Sequence, residues 1–589
     1  MLLQVDIVSL SAISPGKHAL RFKVWIWMAN TEEYPWRRSY PEGVPITVAP
    51  RRYPSVVAIF EESFLRYPNE IAYTCMARDL SYQELEAQSH ALAAYFQKIG
   101  LVQGDRVAVM LPNILQSPIT VTAALRAGLV VVNVNPLYTP RELKLQLRDS
   151  GAKAIVLLNT AAGRLQEIES ETDVEHIILT GLGDLHKGVR GAAINAYMRY
   201  VKRSVPRFQL PDAIGFKRAL NEGQRSPFSA PRIDPDDLAV LQYTGGTTGI
   251  PKGAMLLQRN LVAALLSCDA WLEPVLRQRP IDGQMTSVCA LPLYHVFAFV
   301  NSSLIGAFKG GHCLLIPDAR NISLLIKALK GRQFHSFAGV NTLFNALMDH
   351  PEFATLDFSE LRMSVGGGME VSPATAERWF GVTGCPIAEG YGLTETTSGV
   401  CCNRLDLDSF TGKLGLPMPG AEIRILDTEG QETPVRVPGE ISIRGVSVMK
   451  GYWKQPDATR EIMTEDGFLR SGDLGSMDED GFITFLGRQK DVIVVSGFMV
   501  YPREIEDVVR DIDGVTECAA VGTPDGKTGE AVWLFVVAVQ LSKNEIEQKC
   551  RQYLAAYKRP ARITFVEALP LTGPGKIDRS SLRSLAAQM

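Results

Sequence analysis

Apolar runs alternate with helix-like segments through the first two thirds of the chain. Residues 105–113, 129–136 and 152–159 are rich in aliphatic and β-branched side chains, which predicts buried strands. Residues 117–128 have the pattern of a helix that ends at Gly128. Because apolar strands separated by helices are typical of parallel sheets, we predict sheets that are covered on both faces.

The pattern changes from about Gly412. Short alternating strands lie over residues 421–430, 439–445 and 481–488, and glycine and proline turns separate them. This pattern predicts a small barrel or antiparallel sheet. After Arg488, strands and helices alternate in a compact α+β pattern. We therefore place a domain boundary near residues 487–491.

Composition and charge narrow the class of protein. A chain of 589 residues is too long for one core, so two or more domains are expected. The formal net charge of -3 gives no indication of a nucleic-acid partner. The 9 cysteines include no C-x-x-C pair, and the 8 histidines show no metal-ligand spacing. These features predict a reduced cytoplasmic protein without structural disulfides or zinc.

The first residues contain an apolar patch at 18–30. It is too short to span a bilayer and lacks the cleavage site of a signal peptide. The segment that follows Met28 is polar and ordinary. We therefore expect translation to begin at Met28, with residues 1–27 an extension that is either wrongly assigned or disordered.

A loop rich in glycine and threonine, residues 241–255, follows an apolar run. Its spacing differs from the usual phosphate-binding loop, G-x-x-x-x-G-K-[ST]. Glycines let backbone N–H groups face an anion, threonines add hydroxyl donors, and a lysine adds positive charge. The sequence therefore predicts a phosphate site formed by Thr244, Gly245, Gly246, Thr247, Thr248, Gly249 and Lys252.

Further stretches carry groups suited to the same chemistry. They are a histidine among apolar residues, a second glycine turn, an aromatic next to a carboxylate, an aspartate turn, an Arg–Lys pair and a C-terminal lysine loop. These groups are His295, Gly366 to Gly368, Tyr391 with Glu395, Asp473, Arg488 with Lys490, and Lys576.

Together and in this order, these stretches resemble the motifs of the adenylate-forming superfamily, which contains acyl-CoA synthetases, adenylation domains of peptide assembly lines and luciferases. The resemblance covers the chain from about residue 50 onward. Residues 131–156, 290–299, 339–347 and 487–509 are most similar to bacterial long-chain fatty acid–CoA ligases.

The resemblance implies an α/β fold. A large N-terminal domain, residues 28–488, would contain two parallel-sheet subdomains and a small β-barrel. A small, mobile α+β domain, residues 489–589, would follow it. The implied reaction joins a carboxylate to the α-phosphorus of ATP with release of pyrophosphate, and CoA then displaces AMP. ATP, CoA and Mg²⁺ are thus expected.

The resemblance also implies a role for each motif residue. Thr244 and Glu395 would hold Mg²⁺. Lys576, His295 and Lys252 would be catalytic, Lys490 the hinge, and Gly497 a wall of the CoA channel. The residues expected to bind ATP or AMP are Thr244, Gly245, Gly246, Thr247, Thr248, Gly249, Lys252, Gly366, Gly367, Gly368, Glu389, Gly390, Tyr391, Gly392, Thr394, Asp473 and Arg488.

The acyl pocket is predicted to be apolar. An amino-acid substrate would bring a buried ammonium that needs an acidic partner, and the segment after His295 contains none. An alkyl chain suits such a pocket, since each buried CH₂ contributes roughly 0.8 kcal/mol. The expected lining is His295, Val296, Phe297, Gly339 and Thr342.

A basic amphipathic segment lies at residues 191–208. Ile194, Tyr197, Met198, Val201 and Val205 recur at helical spacing, with Arg199, Lys202, Arg203 and Arg207 between or beside them. Such a segment favours peripheral contact with the inner membrane surface by a cytoplasmic enzyme, and a helix packed on the core is the alternative.

The substrate chemistry leaves alternatives open. An acyl-AMP ligase that loads a carrier protein, and a catalytically silent sensor of ATP and fatty acid, would carry the same motifs. Acyl chain length, unsaturation and a homodimeric state also remain open.

Overall fold

The computed structural model describes residues 34–244, 252–572 and 576–589. Of the two compact units in the chain, the second extends from Pro35 to Met589. The architecture below concerns this second unit.

Two large mixed sheets form the central part of the fold. In the first, the antiparallel strand Lys252–Leu257 closes an otherwise parallel sheet of seven strands. In order across the sheet, the strands are Ile214–Gly215, His176–Thr180, Ala154–Leu158, Arg106–Met110, Val130–Asn133, Leu238–Thr244 and Lys252–Leu257.

The second large sheet has nine strands and a parallel centre. Antiparallel strands lie at both of its ends. Its order is Leu416–Pro417, Ser398–Cys402, Ile387–Leu393, Met363–Gly367, Ser336–Gly339, Thr286–Cys289, His312–Leu315, Ile71–Cys75 and Arg78–Ser81.

Helices cover these sheets and bury the apolar strands. Many begin at a side-chain cap, such as Ser81, whose hydroxyl accepts a hydrogen bond from the Glu84 N–H. The α-helices of the described residues are Val56–Arg66, Tyr82–Lys98, Gln116–Arg126, Pro140–Ser150, Ala162–Gln166, Gly188–Ala196, Phe216–Gly223, Gln258–Gln278, Val296–Ala298, Ile305–Lys309, Ile322–Leu329, Asn341–Met348, Pro373–Thr383, Pro456–Ile462, Pro502–Arg510, Lys543–Tyr553 and Arg579–Gln588.

Two smaller sheets follow. The expected small barrel takes the form of a four-stranded antiparallel sheet, in the order Ala421–Leu426, Gly439–Gly445, Leu469–Met477 and Ile483–Arg488. The C-terminal sheet contains Phe498–Val500, Ile493–Val495, Gly529–Ala538, Val515–Asp525 and Arg562–Phe565. The C-terminal sheet and the helices packed on it enclose a separate apolar core.

The hairpin formed by Leu469–Met477 and Ile483–Arg488 is held at its turn by the first described residues. Trp36 is buried against Gly481, whose φ of +82° suits glycine. A Cβ at Gly481 would lie 2.4 Å from the Trp36 Cβ, so a side chain at this turn would displace the tryptophan. The contact fixes the closed end of the hairpin.

The structure confirms the fold class predicted from the sequence, with parallel sheets followed by a small antiparallel sheet and a C-terminal α+β part. The prediction of a basic amphipathic helix at residues 191–208 needs one correction. The segment is helical over Gly188–Ala196 and continues as a π-turn only through Tyr197–Val201, so Val205 is not part of the helix. Among the described residues, no helix is long and apolar enough to cross a bilayer.

Candidate active site

The candidate site lies at the carboxyl ends of three adjacent parallel strands. Gly339 pairs with Gly366, and Gly366 pairs in turn with Glu389. Gly367 pairs with Gly390. Ligands of α/β proteins commonly bind at this edge of a sheet.

The glycine turn predicted at Gly366 to Gly368 is tightly packed. A Cβ at Gly367 would lie 3.2 Å from the Phe297 ring, which brings an expected acyl-pocket residue against the turn. Gly368 has a φ of +75° and open space beside it. Gly368 is thus the exposed end of the turn, whereas Gly366 and Gly367 are buried.

Glu389 stabilises the loop that follows this turn. Its side chain is 4% exposed, and its Oε1 accepts a hydrogen bond from the Val371 N–H at 3.0 Å. Burial raises the pKa of Glu389 to about 7, against the opposing effect of that hydrogen bond. The carboxyl group thus holds the backbone of the loop at Val371 in place.

A buried carboxylate brings together the residues predicted to hold the ribose and adenine. Asp473 is 2% exposed, and its Oδ2 accepts a hydrogen bond from the Tyr391 hydroxyl at 2.8 Å. Its Oδ1 lies 2.8 Å from Arg488 Nε, across the antiparallel pair Asp473–Arg488. Burial raises the pKa of Asp473, whereas Arg488, Tyr391 and Lys576 act in the opposite direction.

Lys576 reaches this site from the C-terminal part of the chain. Thr572 closes its loop, because the Thr572 N–H donates to the Lys576 carbonyl at 2.7 Å and the Thr572 hydroxyl accepts from the Lys576 N–H at 3.2 Å. Desolvation and the charge of Arg488 lower the pKa of Lys576, and Asp473 raises it. The ammonium keeps solvent access but lies within the field of both groups.

His295 is close enough to this site for the charge of Lys576 to affect its pKa. Its ring is 4.7 Å from the Tyr294 ring, and its carbonyl accepts the Phe299 N–H at the start of the next helical turn. Although His295 is an exposed residue, neighbouring protein atoms desolvate its ring and lower its pKa to about 4, and the charge of Lys576 adds to this effect. His295 is therefore neutral at pH 7.

The predicted phosphate and metal residues meet at the end of the seven-stranded sheet. Thr244 pairs with Lys252 across the hairpin that bears the phosphate loop. The Lys252 ammonium lies 5.1 Å from the Tyr452 ring centroid, and the Tyr452 hydroxyl donates to Glu395 Oε1 at 2.6 Å. The predicted loop residues Gly245, Gly246, Thr247, Thr248 and Gly249 lie outside the described residues.

These groups fit a hydrated magnesium ion. In the described part of the chain, no group of three or more His, Cys, Asp or Glu side chains is arranged so that it could hold a metal ion. A single carboxylate, Glu395, with a hydroxyl and phosphate oxygens suits Mg²⁺, which retains much of its water. Thr394 begins the short turn that carries Glu395. Gly392 lies just before that turn. A Cβ on Gly392 would lie 2.0 Å from the Ser398 carbonyl oxygen, so this position has no room for a side chain.

The expected acyl-pocket residues border an apolar cluster. Val296 begins the turn after His295, and Thr342 lies on the helix Asn341–Met348. A Cβ at Gly339 would lie 2.9 Å from the Phe344 ring, which belongs to a buried apolar cluster with Phe337 and Trp379. Apolar side chains therefore adjoin Gly339, and the assignment of an acyl pocket here stays a prediction.

The hinge and channel residues lie on the surface. Lys490 is in the short turn Gln489–Asp491, directly after Arg488. Gly497 has a φ of +85° in the hairpin between Ile493–Val495 and Phe498–Val500, and nothing lies within 4 Å of a Cβ placed there. Their roles in motion and in CoA binding remain predictions.

Sequence reasoning missed Tyr452. It follows a loop whose backbone pairs with the strand Lys252–Leu257, since the Met255 N–H donates to the Gly451 carbonyl. The sequence shows a tyrosine at this position but does not show its partner. Glu395, which accepts its hydrogen bond, lies 57 residues earlier in the chain.

Comparison with known proteins agrees with this geometry. Residues 60–453 match the AMP-binding enzyme family, and residues 504–576 match the AMP-binding enzyme C-terminal domain. The chain therefore belongs to the AMP-binding enzymes, and the predicted membership of the adenylate-forming superfamily is confirmed.

Particular relatives refine the comparison. The chain is 47% identical to a long-chain-fatty-acid–CoA ligase of Escherichia coli O6:H1, over 94% of this chain and 98% of the relative. It is 46% identical to one of Yersinia pestis, over 93% and 97%. ATP-bound MatB of Rhodopseudomonas palustris has a similar structure, with a TM-score of 0.76 and 28% identity over 90% of this chain and 99% of MatB.

The buried carboxyl group of Glu389 predicts a pH-dependent stability. Since its folded pKa of about 7 exceeds an unfolded value of about 4.3, the stability that it contributes is complete below that lower value and is lost as pH rises through 7. Glu389→Gln removes this loss. We expect its stability relative to wild type to increase between about pH 5 and pH 8, by up to about 3 kcal/mol.

Melting temperatures at the two pH values measure this effect. Exposed Glu429→Gln serves as the matched control. A difference between Glu389→Gln and wild type that is the same at both pH values would contradict the assignment.

Proposed function

We propose that this protein activates a long-chain fatty acid with ATP, releases pyrophosphate, and transfers the acyl group from AMP to CoA. One observation carries the proposal. Asp473 is buried with Tyr391 and Arg488 each 2.8 Å away, and Lys576, from a segment more than 85 residues beyond Arg488, is close enough for its charge to lower the pKa values of Asp473 and His295. The names of the relatives in Escherichia coli and Yersinia pestis support the same activity.

In the first half-reaction, a carboxylate oxygen attacks the α-phosphorus and the bond to the β-phosphate oxygen breaks. Both reactants are anions, so charge accumulates where they meet. An ammonium held at that point stabilises the transition state more than the separated reactants. We assign this role to Lys576. We assign the two ribose hydroxyls to Asp473, whose carboxylate can accept both hydrogen bonds, and we assign Arg488 to the other side of the ribose.

The leaving pyrophosphate is assigned to the hairpin loop after Thr244 and to Lys252. When bound, Mg²⁺ would neutralise phosphate charge, and Glu395 with Thr244 would hold it. Tyr452 orients Glu395 through its 2.6 Å hydrogen bond. Tyr391 and the turn Gly366 to Gly368 would accept the adenine.

Neutral His295 suits a place beside the acyl carboxylate. A protonated ring there would hold the carboxylate in an ion pair and weaken its attack, whereas a neutral ring can donate one hydrogen bond and orient it. The desolvation that lowers its pKa thus serves the first half-reaction.

In the second half-reaction, the CoA thiol attacks the acyl carbonyl and AMP leaves. This step needs space where Lys576 now lies. We propose that residues 489–589 rotate about Lys490 as a mobile domain against residues 28–488, and that Gly497 then borders the pantetheine channel. The exposed apolar residues Val494, Phe498 and Met499 beside Gly497 support this assignment, because rotation would cover them.

Membrane contact is a finer proposal. The turn after Gly188–Ala196 exposes Tyr197, Tyr200 and Val201, of which Tyr200 is 72% exposed. Arg199, Lys202, Arg203 and Arg207 are also exposed around them. An apolar tip with a basic rim favours an anionic bilayer surface over a core contact. The enzyme is thus proposed to collect fatty acid at the cytoplasmic face of the membrane.

Lys576→Ala tests the first half-reaction. We expect fatty-acid-dependent pyrophosphate–ATP exchange to fall by about a hundredfold or more, the scale of losing one charged transition-state donor. Thioester formation from prepared acyl-adenylate and CoA should be retained. Exposed Lys527→Ala on the same part of the chain is the control. Equal loss in both half-reactions would contradict the role of Lys576.

The triple variant Tyr197→Ser, Tyr200→Ser, Val201→Ser tests the membrane surface. Wild type should sediment with anionic phospholipid vesicles at low salt and detach as salt is added, since the basic rim is screened. The variant should lose binding and keep thioester formation with detergent-dispersed acid. Val435→Ser, another exposed valine, is the control. Equal vesicle binding by variant and wild type would refute the surface.

A further inference from the structure

Arg503 joins the C-terminal part of the chain to the nucleotide-binding part. It lies in the first turn of the helix Pro502–Arg510, one residue after the proline that begins it. Its Nη1 donates to the Phe485 carbonyl at 2.8 Å, and its Nη2 lies 2.8 Å from Glu370 Oε1. Its guanidinium also faces the Phe485 ring at 5.7 Å.

Both partners of Arg503 belong to segments that carry site residues. Phe485 is on the strand Ile483–Arg488, three residues before Arg488. Glu370 follows the turn Gly366 to Gly368, and the next residue, Val371, donates to Glu389. Arg503 therefore contacts the ribose side and the adenine side of the site simultaneously.

These contacts are shielded from water. The Arg503 side chain is 14% exposed and the Glu370 side chain 26% exposed. Burial raises the pKa of Glu370, while Arg503 and Arg510 act in the opposite direction. Removing one partner from a desolvated pair leaves the other charge without compensation, so the contact strongly favours the arrangement in which both are present.

We propose that Arg503 is a positioning residue: it holds the C-terminal part in the arrangement that places Lys576 at the site, and it is released for the thioester step. The inference rests on the proposed function. Of the two arrangements of the C-terminal part, one for adenylation and one for CoA transfer, Arg503 favours the first. A contact made in one arrangement only shifts the population toward it, by its differential free energy. Adenylation then benefits from Arg503, and CoA transfer does not.

The test separates the two half-reactions. Arg503→Met keeps an unbranched side chain against Phe485 and deletes the charge. Palmitate-dependent pyrophosphate–ATP exchange should fall by about tenfold or more, since one well-formed buried ion pair is lost. Thioester formation from palmitoyl-adenylate and CoA should be unchanged or faster. Arg503→Lys should restore part of the exchange, because it keeps the charge but not the planar fork.

Glu370→Gln provides an independent variant. Since the two side chains act as a pair, the double variant should be no slower in exchange than either single variant. Lys549→Met is the matched control. It removes an ion pair with Asp511 that lies wholly within the C-terminal part, at 2.5 Å, and should leave both half-reactions at the wild-type rate.

The outcomes distinguish this inference from the proposed function. Normal exchange in Arg503→Met and Glu370→Gln, or equal losses in both half-reactions, would overturn the positioning role while the proposed function stands. Absence of fatty-acid-dependent exchange in wild type would overturn the proposed function and the positioning role with it. Selective loss of exchange, with partial rescue by lysine, supports the role.

Discussion

The buried carboxylate of Asp473 is the constraint around which the rest of the site is arranged. A carboxylate that is 2% exposed needs charge and hydrogen-bond partners, and Arg488 and Tyr391 both lie 2.8 Å from it. Those partners come from two different sheets. Satisfying one side chain therefore holds the small antiparallel sheet against the strand Ile387–Leu393 of the nine-stranded sheet, and the proposed nucleotide site lies where these two sheets meet.

The site also depends on an arrangement of two parts of the chain. Lys576 and Arg503 belong to the C-terminal part, and both face groups on the nucleotide-binding part. Lys576 would act on charge that forms only during adenylation, whereas Arg503 is proposed to act on the arrangement itself. Separate roles would let one site serve two reactions in sequence, because the lysine would leave when the ion pair breaks.

Much of this was predictable from the sequence, because strands with continuous apolar runs and glycine turns depend on local order. The predicted strand at 105–113 is observed as Arg106–Met110. Thr244 pairs with Lys252, and Tyr452 contacts both Lys252 and Glu395. Tyr452 and Glu370 were not predicted, because each acts through a partner far away along the chain. The basic amphipathic segment was predicted to be helical beyond its observed end at Val201, and the φ of +50° at Arg203 shows a turn that residue spacing alone does not reveal.

The central claim is that a fatty-acid carboxylate attacks the α-phosphorus of ATP at this site. The most direct measurement uses palmitate labelled with ¹⁸O in its carboxylate, together with ATP, CoA and the wild-type protein. Mass spectrometry of the nucleotide product should find one labelled oxygen in AMP, because the acyl–phosphate oxygen stays with phosphorus when CoA displaces AMP. Label in phosphate or pyrophosphate, or ADP as the product, would contradict the account.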